Sequence, residues 1–513
     1  MSIWPAIPTA SGEPAISLPR LILLSVVLFL TLSCGQARGP DALRFGLVAM
    51  PVTLDPRFAT DAASSRINRL LYQRLVNFDG QYRPVPALAT WAVLTPRHYR
   101  FHLKKARFSN GEPVTARDVE ATFAFIRDEK NASPHRMALN SIARMEVVDD
   151  HTIDFFLHEP DPLFPGRLGM GILPAGLIAS GHPFNRRPVG SGPFVLLGWE
   201  EGAGLRLRRR RDGQAFEFVK VQDPTVRVLK LLRGEIDMLQ NDLPPELVNY
   251  LRRQDGIRVM KGTGSNYAYL GFNLRDAVVG DARVRRAIAH AIDREAIIRH
   301  VMGEAARPAI GLLPPDHWSS DPALPQVAHD VQRARRLLEE AGYDEHHPVR
   351  LVYKTSSDPF RLRLATIIQH QLAEAGIEVT LKSYDWGTFY GDIKAGRFQM
   401  YSLMWVGIKL PDIYRYVFHS SAVPPAGANR GRFSDPRVDA LIERAEAGLS
   451  LGEQAQYYGR LQALIQQELP YVPLWYEDHV FVARADIAGY HIARDGNYDG
   501  LAHVYRIEEE GRP

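Results

Sequence analysis

Only a few short motifs in the sequence could support catalysis. The pentapeptide VGSGP at 189–193 comes closest to a nucleophile elbow, but it lacks the first glycine of GxSxG, and a serine between glycines and before proline is typical of a turn. The sequence contains neither a GxxxxGKS/T phosphate loop nor an HExxH zinc motif. Because no set of nucleophile, base and orienting group can be assembled, we expect the protein not to be an enzyme.

The histidine and cysteine patterns argue against metal and redox centres. His346 and His347 are adjacent in a polar stretch, and adjacent side chains point apart in an extended chain, so chelation is not expected. The single cysteine excludes an intramolecular disulfide, a CxxC motif, a zinc ribbon and a cysteine-ligated iron–sulfur cluster. We therefore expect no metal and no cofactor.

Basic residues cluster at 206–211. Arg206 and Arg208 alternate with Leu205 and Leu207, and three further arginines follow. This alternation predicts an amphipathic strand that runs into a solvated turn. The formal net charge of +4 over 513 residues is also too small to indicate nucleic-acid binding, so no nucleic acid partner is expected.

The N-terminal segment predicts export. Residues 21–32 form an uncharged apolar run of 12 residues, shorter than the ~20 residues of a membrane-spanning helix and typical of the hydrophobic part of a signal peptide. Cys34 follows directly, between Ser33 and Gly35. The arrangement resembles a bacterial lipobox, except that Thr31 stands where leucine is usual.

The lipobox resemblance implies a signal peptide over 1–33, lipidation of Cys34, and a tether over 34–42 that holds the protein at the membrane. The alternative is a free, buried cysteine beside an ordinary signal anchor. In both cases we expect an exported protein, in the periplasm or on the cell surface.

The elements that position any site are a mixture of helices and strands. Residues 350–355 and 377–383 read as strands joined by a helix over 361–375, which predicts a parallel pair with a right-handed crossover. Thr115 is placed to cap a helix that follows it. Further helices are predicted over 64–76, 281–302 and 331–341. The sequence therefore predicts an α/β protein, and its 513 residues indicate several domains.

Several aromatic residues lie near the ends of predicted strands. Each could belong to a hydrophobic core, or the group could form the walls of a ligand cleft, since aromatic side chains offer large apolar area with few rotamers to fix. Both interpretations stay open. The residues are Tyr267, Tyr269, Trp386, Trp405, Trp475 and Tyr476.

Several segments together resemble the bacterial extracellular solute-binding proteins of family 5, the oligopeptide, dipeptide and nickel receptors of ABC importers. They are GQYRPVPALATW and its continuation to residue 123, PVGSGPFVLLGWE at 188–200, the segment YLGFNLRD…AIDREAII at 269–298, GLLPP at 311–315, and LQALIQQELPYVPLWY at 461–476. The resemblance runs from about residue 43 to 505. These motifs are structural, so they specify the fold more sharply than the ligand.

The resemblance implies a bilobal periplasmic-binding-protein fold with an extra inserted domain and two hinge-linked lobes. Domain I would comprise 41–55, 187–265 and 477–513, domain II would be an insertion over 56–186, and domain III would cover 266–476. It also implies a monomer that captures a peptide or peptide-like solute and delivers it to an ABC permease and its ATPase. The alternatives are a sensor or chaperone without transport, or an exported hydrolase.

The same resemblance supplies candidate ligand-binding residues. In peptide-binding relatives, the segment similar to Trp405-Val406-Gly407 is followed by an aspartate that pairs with the ligand's α-ammonium, but Ile408 stands here. The anchor is then either displaced to Asp412 or missing, which predicts a weaker dependence on a free α-amine. The alternative is that Lys409 points to solvent and Asp412 caps a helix. The full candidate set is Tyr267, Tyr269, Asn273, Trp386, Trp405, Val406, Gly407, Lys409, Asp412 and Tyr476.

Overall fold

The computed structural model describes residues 42–200, 204–448 and 450–507. The predicted signal peptide, Cys34 and nearly all of the tether lie outside these residues. Within them, no helix combines the length and the apolar character that crossing a membrane requires. The helices are Ala62–Leu71, Ala116–Arg127, Phe164–Arg167, Ala175–Ala179, Pro224–Leu232, Pro245–Leu251, Ala282–Ala291, Arg294–His300, Val331–Glu340, Pro359–Glu374, Trp386–Ala395, Ile413–Phe418, Pro436–Ala447 and Leu451–Glu468.

The strands are numbered in chain order. Those of the first half are β1 (Leu43–Leu47), β2 (Val76–Phe78), β3 (Pro84–Pro86), β4 (Ala89–Thr95), β5 (His98–Leu103), β6 (Ile142–Asp149), β7 (Thr152–Leu157), β8 (Phe194–Glu200), β9 (Gly204–Arg209), β10 (Ala215–Lys220) and β11 (Met238–Gln240). Those of the second half are β12 (Ile257–Phe272), β13 (Ala306–Pro308), β14 (Val349–Ser356), β15 (Ile377–Tyr384), β16 (Met400–Trp405), β17 (Tyr471–Arg484), β18 (Ile487–Ala488) and β19 (Tyr505–Arg506).

One mixed sheet organises the described part of the chain. Its strand order is β15-β14-β16-β12-β17-β11-β1-β10-β9-β8, and β13 pairs separately with β17. The antiparallel pair β12 and β17 lies at its centre, and its register is interrupted between Gly262 and Asn266. A second sheet, β4-β5-β7-β6, stands apart from it.

The hydrophobic cores define two lobes, one on each side of the central pair. We use the name lobe A for residues Leu43–Leu251 and Val480–Val504, because their buried hydrophobic side chains pack into clusters with one another. Lobe B is Tyr267–Tyr476, which contains the other clusters. Within lobe A, residues between Leu75 and Ile172 form a buried cluster of their own, and the insertion over 56–186 stays a prediction. The division into three domains stays a prediction.

Local sequence signals account well for several elements. The helix Ala116–Arg127 begins after Thr115, whose backbone N–H donates to the Asp118 carboxylate at 2.7 Å. The unit of β14, helix and β15 is present, and its two strands are parallel as predicted. Gly376 follows the helix with a φ of +88°, a left-handed conformation that glycine adopts without steric cost.

Two predicted helices have different bounds in the structure. The prediction over 281–302 was wrong as one helix, because the chain forms Ala282–Ala291 and Arg294–His300. Asp293 separates them, and its carboxylate accepts the Ala296 N–H at 2.8 Å as the N-cap of the second helix. The helix predicted over 64–76 is Ala62–Leu71 instead.

Candidate functional site

A cavity of 620 Å³ lies where the two lobes meet the central strand pair. We call it the central cavity. Lobe A, lobe B and the junction between them all contribute to its walls. Its charged and polar lining residues are Arg66, Gln222, Arg227, Asn241, Asp242, Asn249, Asn266, Asp358, Arg361, Glu477, Asp478 and His479.

A strained turn presents one acidic side chain to this cavity. Asn241 and Asp242, directly after β11, have φ values of +61° and +57°, a left-handed region that costs energy for residues other than glycine. The Asn241 side chain holds the turn, because its Oδ1 accepts the Val480 N–H at 2.9 Å. Arg227 donates to the Asp242 backbone carbonyl from the other side. The strain is therefore stabilised by fixed partners, and its effect is to place the Asp242 carboxylate at the cavity wall.

The Asp242 carboxylate has an unusual electrostatic environment. Desolvation by the surrounding protein raises its pKa above the ordinary value, while the charges of Arg66 and Arg227 act in the opposite direction. Within the described residues, no lysine, arginine or histidine nitrogen lies within 4 Å of it. A carboxylate in this position gains most from a cation that a ligand brings.

Lobe B supplies a guanidinium to the same cavity. Arg361 lies in the first turn of the helix Pro359–Glu374, whose N-cap Asp358 accepts the Arg361 backbone N–H at 2.9 Å. Its side chain donates to the Glu477 carboxylate at 2.5 Å and 3.3 Å, and the charge of Glu477 raises the pKa of Arg361 further. The pair fixes the guanidinium at the junction of the lobes, where it can reach an anionic group.

Apolar surface continues from the central cavity into lobe B. A smaller cavity of 220 Å³ shares Arg361, Met404 and Val406 with it and extends to Trp386 and Trp475. At the shared boundary, Val406 follows the last residue of β16 and is 53% exposed. The two cavities therefore form neighbouring polar and apolar compartments.

The structure places three of the predicted tyrosines in the core of lobe B. Tyr267, Tyr269 and Tyr476 are each at most 2% exposed. The Tyr267 ring lies 5.7 Å from Tyr269 and 5.9 Å from Tyr476, and the Tyr476 hydroxyl donates to the Gly311 and Leu313 carbonyls at 2.6 and 2.8 Å. Burial raises the pKa of all three phenols. These side chains support the strands beneath the cavity walls.

Four other predicted residues occupy separate positions. Trp386 is 59% exposed, stacks on Tyr390, and lines the smaller cavity. Trp405 packs under the Arg430 guanidinium, 5.1 Å from its Cζ. The Asn273 Oδ1 accepts the Arg275 backbone N–H in the turn that follows β12. Gly407 has a φ of +71° and follows Val406 on the surface of lobe B.

Lys409 and Asp412 both pair with charged groups of lobe A. The Lys409 ammonium lies 2.7 Å from the Asp495 carboxylate, so the side chain does not point to solvent. The Asp412 carboxylate lies 2.6 Å from an Arg167 nitrogen. Asp412 precedes the helix Ile413–Phe418, but its side chain makes no capping hydrogen bond. Neither residue lines the central cavity.

Sequence reasoning missed Asp242 and Arg361, which line the central cavity from lobe A and from lobe B. A signal existed for Arg361, because it comes just after the carboxyl end of a parallel strand, where open α/β sheets bind ligands. Asp242 follows a strand of three residues that carries little periodic signal. Among the described residues, no group of three or more histidine, cysteine, aspartate or glutamate side chains is arranged to hold a metal ion.

The sequence matches the family described as bacterial extracellular solute-binding proteins, family 5 Middle, over residues 82–423. The chain belongs to this family. The bilobal architecture of the family-5 solute-binding proteins confirms the predicted fold class, and the relatives found are named as binding proteins rather than as enzymes.

Relatives and solved structures of family-5 solute-binding proteins resemble the chain over nearly its whole length. Di/tripeptide-binding protein 2 of Pseudomonas aeruginosa (strain UCBPP-PA14) is 28% identical over 522 aligned residues, covering 93% of this chain and 97% of that protein. The ABC transporter substrate binding protein CtaP from Listeria monocytogenes has a TM-score of 0.82 at 23% identity, covering 91% of this chain and 100% of that one. DppA from Helicobacter pylori, in complex with the peptide STSA, has a TM-score of 0.74 at 26% identity, covering 91% and 98%.

Proposed function

We propose that this protein is the receptor of an ABC importer, which captures short peptides in the central cavity and delivers them to a membrane permease and its ATPase. The observation that carries the proposal is that one cavity is lined by an acidic side chain of lobe A, Asp242, and by a basic side chain of lobe B, Arg361. The names of relatives that bind dipeptides and tripeptides support the same ligand class.

A short peptide matches this charge arrangement because it is a zwitterion. Asp242 would receive the α-ammonium, since no cation of the described residues pairs with it within 4 Å. Arg361 would receive the α-carboxylate through the N–H groups that its pair with Glu477 leaves free, since hydrogen bonds from a guanidinium to a carboxylate are charge-assisted. Val406, which is 53% exposed and directly follows β16, would offer an edge along which an extended peptide can add as a strand.

Binding and closure are coupled in this arrangement. A ligand held at both ends by different lobes binds the closed state more tightly than the open one, so it shifts the population towards closure.

Calorimetry on one tripeptide with free, acetylated and amidated ends tests these anchors. Acetylation should weaken binding by roughly tenfold or more, because it leaves a buried carboxylate unpaired.

The variant Asp242→Asn should remove the difference between free and acetylated peptide. Asp412→Asn is the matched control, because Asp412 is bound by Arg167 outside the central cavity and the difference should persist. A difference that Asp412→Asn abolishes would move the anchor to Asp412. Equal affinity for the free and acetylated peptides would support the weaker amine dependence that the sequence predicts, and would contradict the role of Asp242.

The pH dependence of binding follows from the raised pKa of Asp242. An ammonium ligand binds the ionised carboxylate, so binding releases a proton wherever free Asp242 is protonated. Peptide affinity should therefore fall as the pH is lowered through the raised pKa, and Asp242→Asn should flatten this part of the profile.

Loss of labelled-peptide uptake on deletion of the gene supports an importer, and unchanged uptake supports a sensor or chaperone.

We also propose that lipidated Cys34 anchors the protein to the membrane. A diacylglycerol and an N-acyl chain exceed the two-chain requirement for stable anchoring. The wild type should fractionate with membranes, whereas Cys34→Ala should stay at the mass that includes the signal peptide. A mature wild type found wholly in the soluble periplasmic fraction would contradict the anchor.

A further inference from the structure

A second inter-lobe cavity has a different electrostatic character from the central one. Its volume is 220 Å³, several times the ~30 Å³ that one water molecule occupies in the liquid. We call it the cationic cavity, because its walls include Arg69 and Arg74 from lobe A and Lys409 from lobe B, and none of the described aspartate or glutamate residues lines it.

The carboxylates that neutralise two of these cations lie behind the wall. Asp499 accepts from the Arg69 Nε at 2.6 and 2.7 Å, and Asp495 lies 2.7 Å from the Lys409 ammonium. Lys409 and Arg69 keep Asp495 ionised, since their charges lower its pKa against the opposing effect of desolvation. The cavity itself is therefore faced by the cationic groups and not by their counter-ions.

Arg74 is the cation that this network leaves without a carboxylate. Its Nη2 donates to the Asn77 Oδ1 at 3.0 Å, an oxygen that also accepts from Arg69 at 3.2 Å. Its Nε is buried and has no hydrogen-bond partner among the described residues. Desolvation, together with the nearby charge of Arg69, lowers the pKa of Arg74 to about 10. A buried guanidinium in this state gains from a bound anion.

An unsatisfied acceptor lies in the same wall. Asn68 is 5% exposed, and its Oδ1 has no partner among the described residues. An anion without hydrogen would satisfy Arg74 but leave this oxygen unpaired. An oxyanion that keeps one hydroxyl hydrogen supplies an acceptor for the arginine and a donor for this amide oxygen, which a turn of the Asn68 side chain would bring to the cavity.

We propose that the cationic cavity binds a small oxyanion that keeps a hydroxyl, such as monohydrogen phosphate, and that the bound anion ties lobe A to lobe B. Its donors come from both lobes, with Arg69 and Arg74 on one side and Lys409 on the other. The anion therefore binds the closed state preferentially and promotes closure from a point away from the central cavity. The inference does not depend on peptides being the transported ligand.

The test is calorimetry of the peptide-free protein with inorganic phosphate, at constant ionic strength maintained with chloride. Phosphate should bind saturably, and acetate should bind more weakly because it has no hydroxyl at neutral pH. Arg74→Gln should weaken phosphate binding by roughly tenfold or more, the effect of losing a charge-assisted hydrogen bond. Arg74→Lys, which keeps the charge, should retain part of the affinity.

Arg83→Gln is the matched control, because Arg83 lies on the same lobe in an exposed pair with Asp79. This variant should leave phosphate binding unchanged. If Arg74→Gln does not fold, Lys409→Met tests the opposite wall. If the heat of phosphate binding never saturates, or if Arg74→Gln and Arg83→Gln lower it equally, phosphate is attracted only by the general positive charge. Either result would overturn the proposal.

Solution scattering separates a bridging anion from one bound to a single lobe. Phosphate should lower the radius of gyration of the peptide-free wild type and leave that of Arg74→Gln unchanged. It should also tighten the binding of a ligand in the central cavity, because both ligands favour closure. An unchanged radius, or competition between phosphate and that ligand, would overturn the bridging role.

Discussion

The two sides of the inter-lobe cleft are built from different kinds of interaction. On one side, β12 and β17 carry a backbone hydrogen-bond ladder across the junction, broken only by irregularities such as the one between Gly262 and Asn266. On the other side, the lobes meet through side chains, including the pairs Arg167–Asp412 and Lys409–Asp495 and the stacking of His317 on Tyr82 at 5.4 Å.

This difference indicates which side must move. Backbone ladders in a sheet lose several hydrogen bonds together when they separate, whereas each of these ion pairs is a single contact between side chains that are 13–33% exposed and that water can reach. The strand side is therefore suited to hold the lobes together, and the side-chain side is suited to open and close. Substitutions on the two sides should therefore change the free energy of unfolding by different amounts.

The largest effect is expected from crowding the strand side. A Cβ added to Gly264 would lie 2.1 Å from the Glu477 carbonyl oxygen, a backbone atom that cannot rotate away. Gly264→Val should lower the free energy of unfolding by about 3 kcal/mol or more, measured by urea denaturation. Gly452→Ala is the control, because it fills open space in a helix and should stabilise by about 0.5–1 kcal/mol. An undiminished stability of Gly264→Val would show that the strands are not held this closely.

The next largest effect is a pH dependence on the opening side. Burial lowers the pKa of His317 to about 4 in the folded protein. Below about pH 6.5, this histidine therefore binds a proton in the unfolded chain but stays neutral in the folded protein until the pH approaches 4. The free energy of unfolding should fall by roughly 2 kcal/mol between pH 6.5 and 4.5 from this group. His317→Asn should lose this component relative to wild type. His370→Gln, at a side chain 79% exposed, should not.

A smaller effect is expected from the half-buried pair of Arg167 and Asp412. A double-mutant cycle with Arg167→Met and Asp412→Asn should give a coupling energy of about 1 kcal/mol, because the pair is partly desolvated. The cycle is needed because Arg167 also contacts Asp161 at 2.7 Å. A coupling near zero would mean that this pair does not hold the lobes together in solution.

The smallest effect is expected at the exposed pair of Arg363 and Glu246, which also bridges the lobes. Arg363→Met should change the free energy of unfolding by no more than about 0.5 kcal/mol, and added salt should reduce even that difference. A change as large as the coupling energy of Arg167 and Asp412 would contradict the expectation that a more buried ion pair is more stabilising.

The elements with local signals could be predicted from the sequence, and those set by distant contacts could not. Thr115 and Gly376 mark helix ends through hydrogen bonds within a few residues, so their roles are readable. The break at Asp293 was missed because apolar residues continue on both sides of it. The order of strands in the large sheet, which brings β11 beside β17, has no local signature.

The same distinction explains the outcome for the candidate site. Tyr267 and Tyr476 lie in the interior of β12 and β17 and not near strand ends as predicted, and which face of a strand is covered depends on helices far away in the sequence. Asp242 and Arg361 meet at one cavity although more than a hundred residues separate them, so neither position alone predicts the other. Lys409 was visible as a departure from the family pattern, but its partner Asp495 was not.

The position of β17 has a consequence for how the polypeptide reaches its native state. This strand joins β11 to β12, so a chain that stopped before Tyr471 would contain two separate sheets instead of one. Lobe A is affected most, because Tyr490, Tyr498 and Leu501 belong to the same buried cluster as Phe45. Pairing residues this far apart is slow, and it must wait until β17 has been synthesised. A nascent chain therefore stays incompletely folded until β17 and the residues of lobe A that follow it emerge from the ribosome.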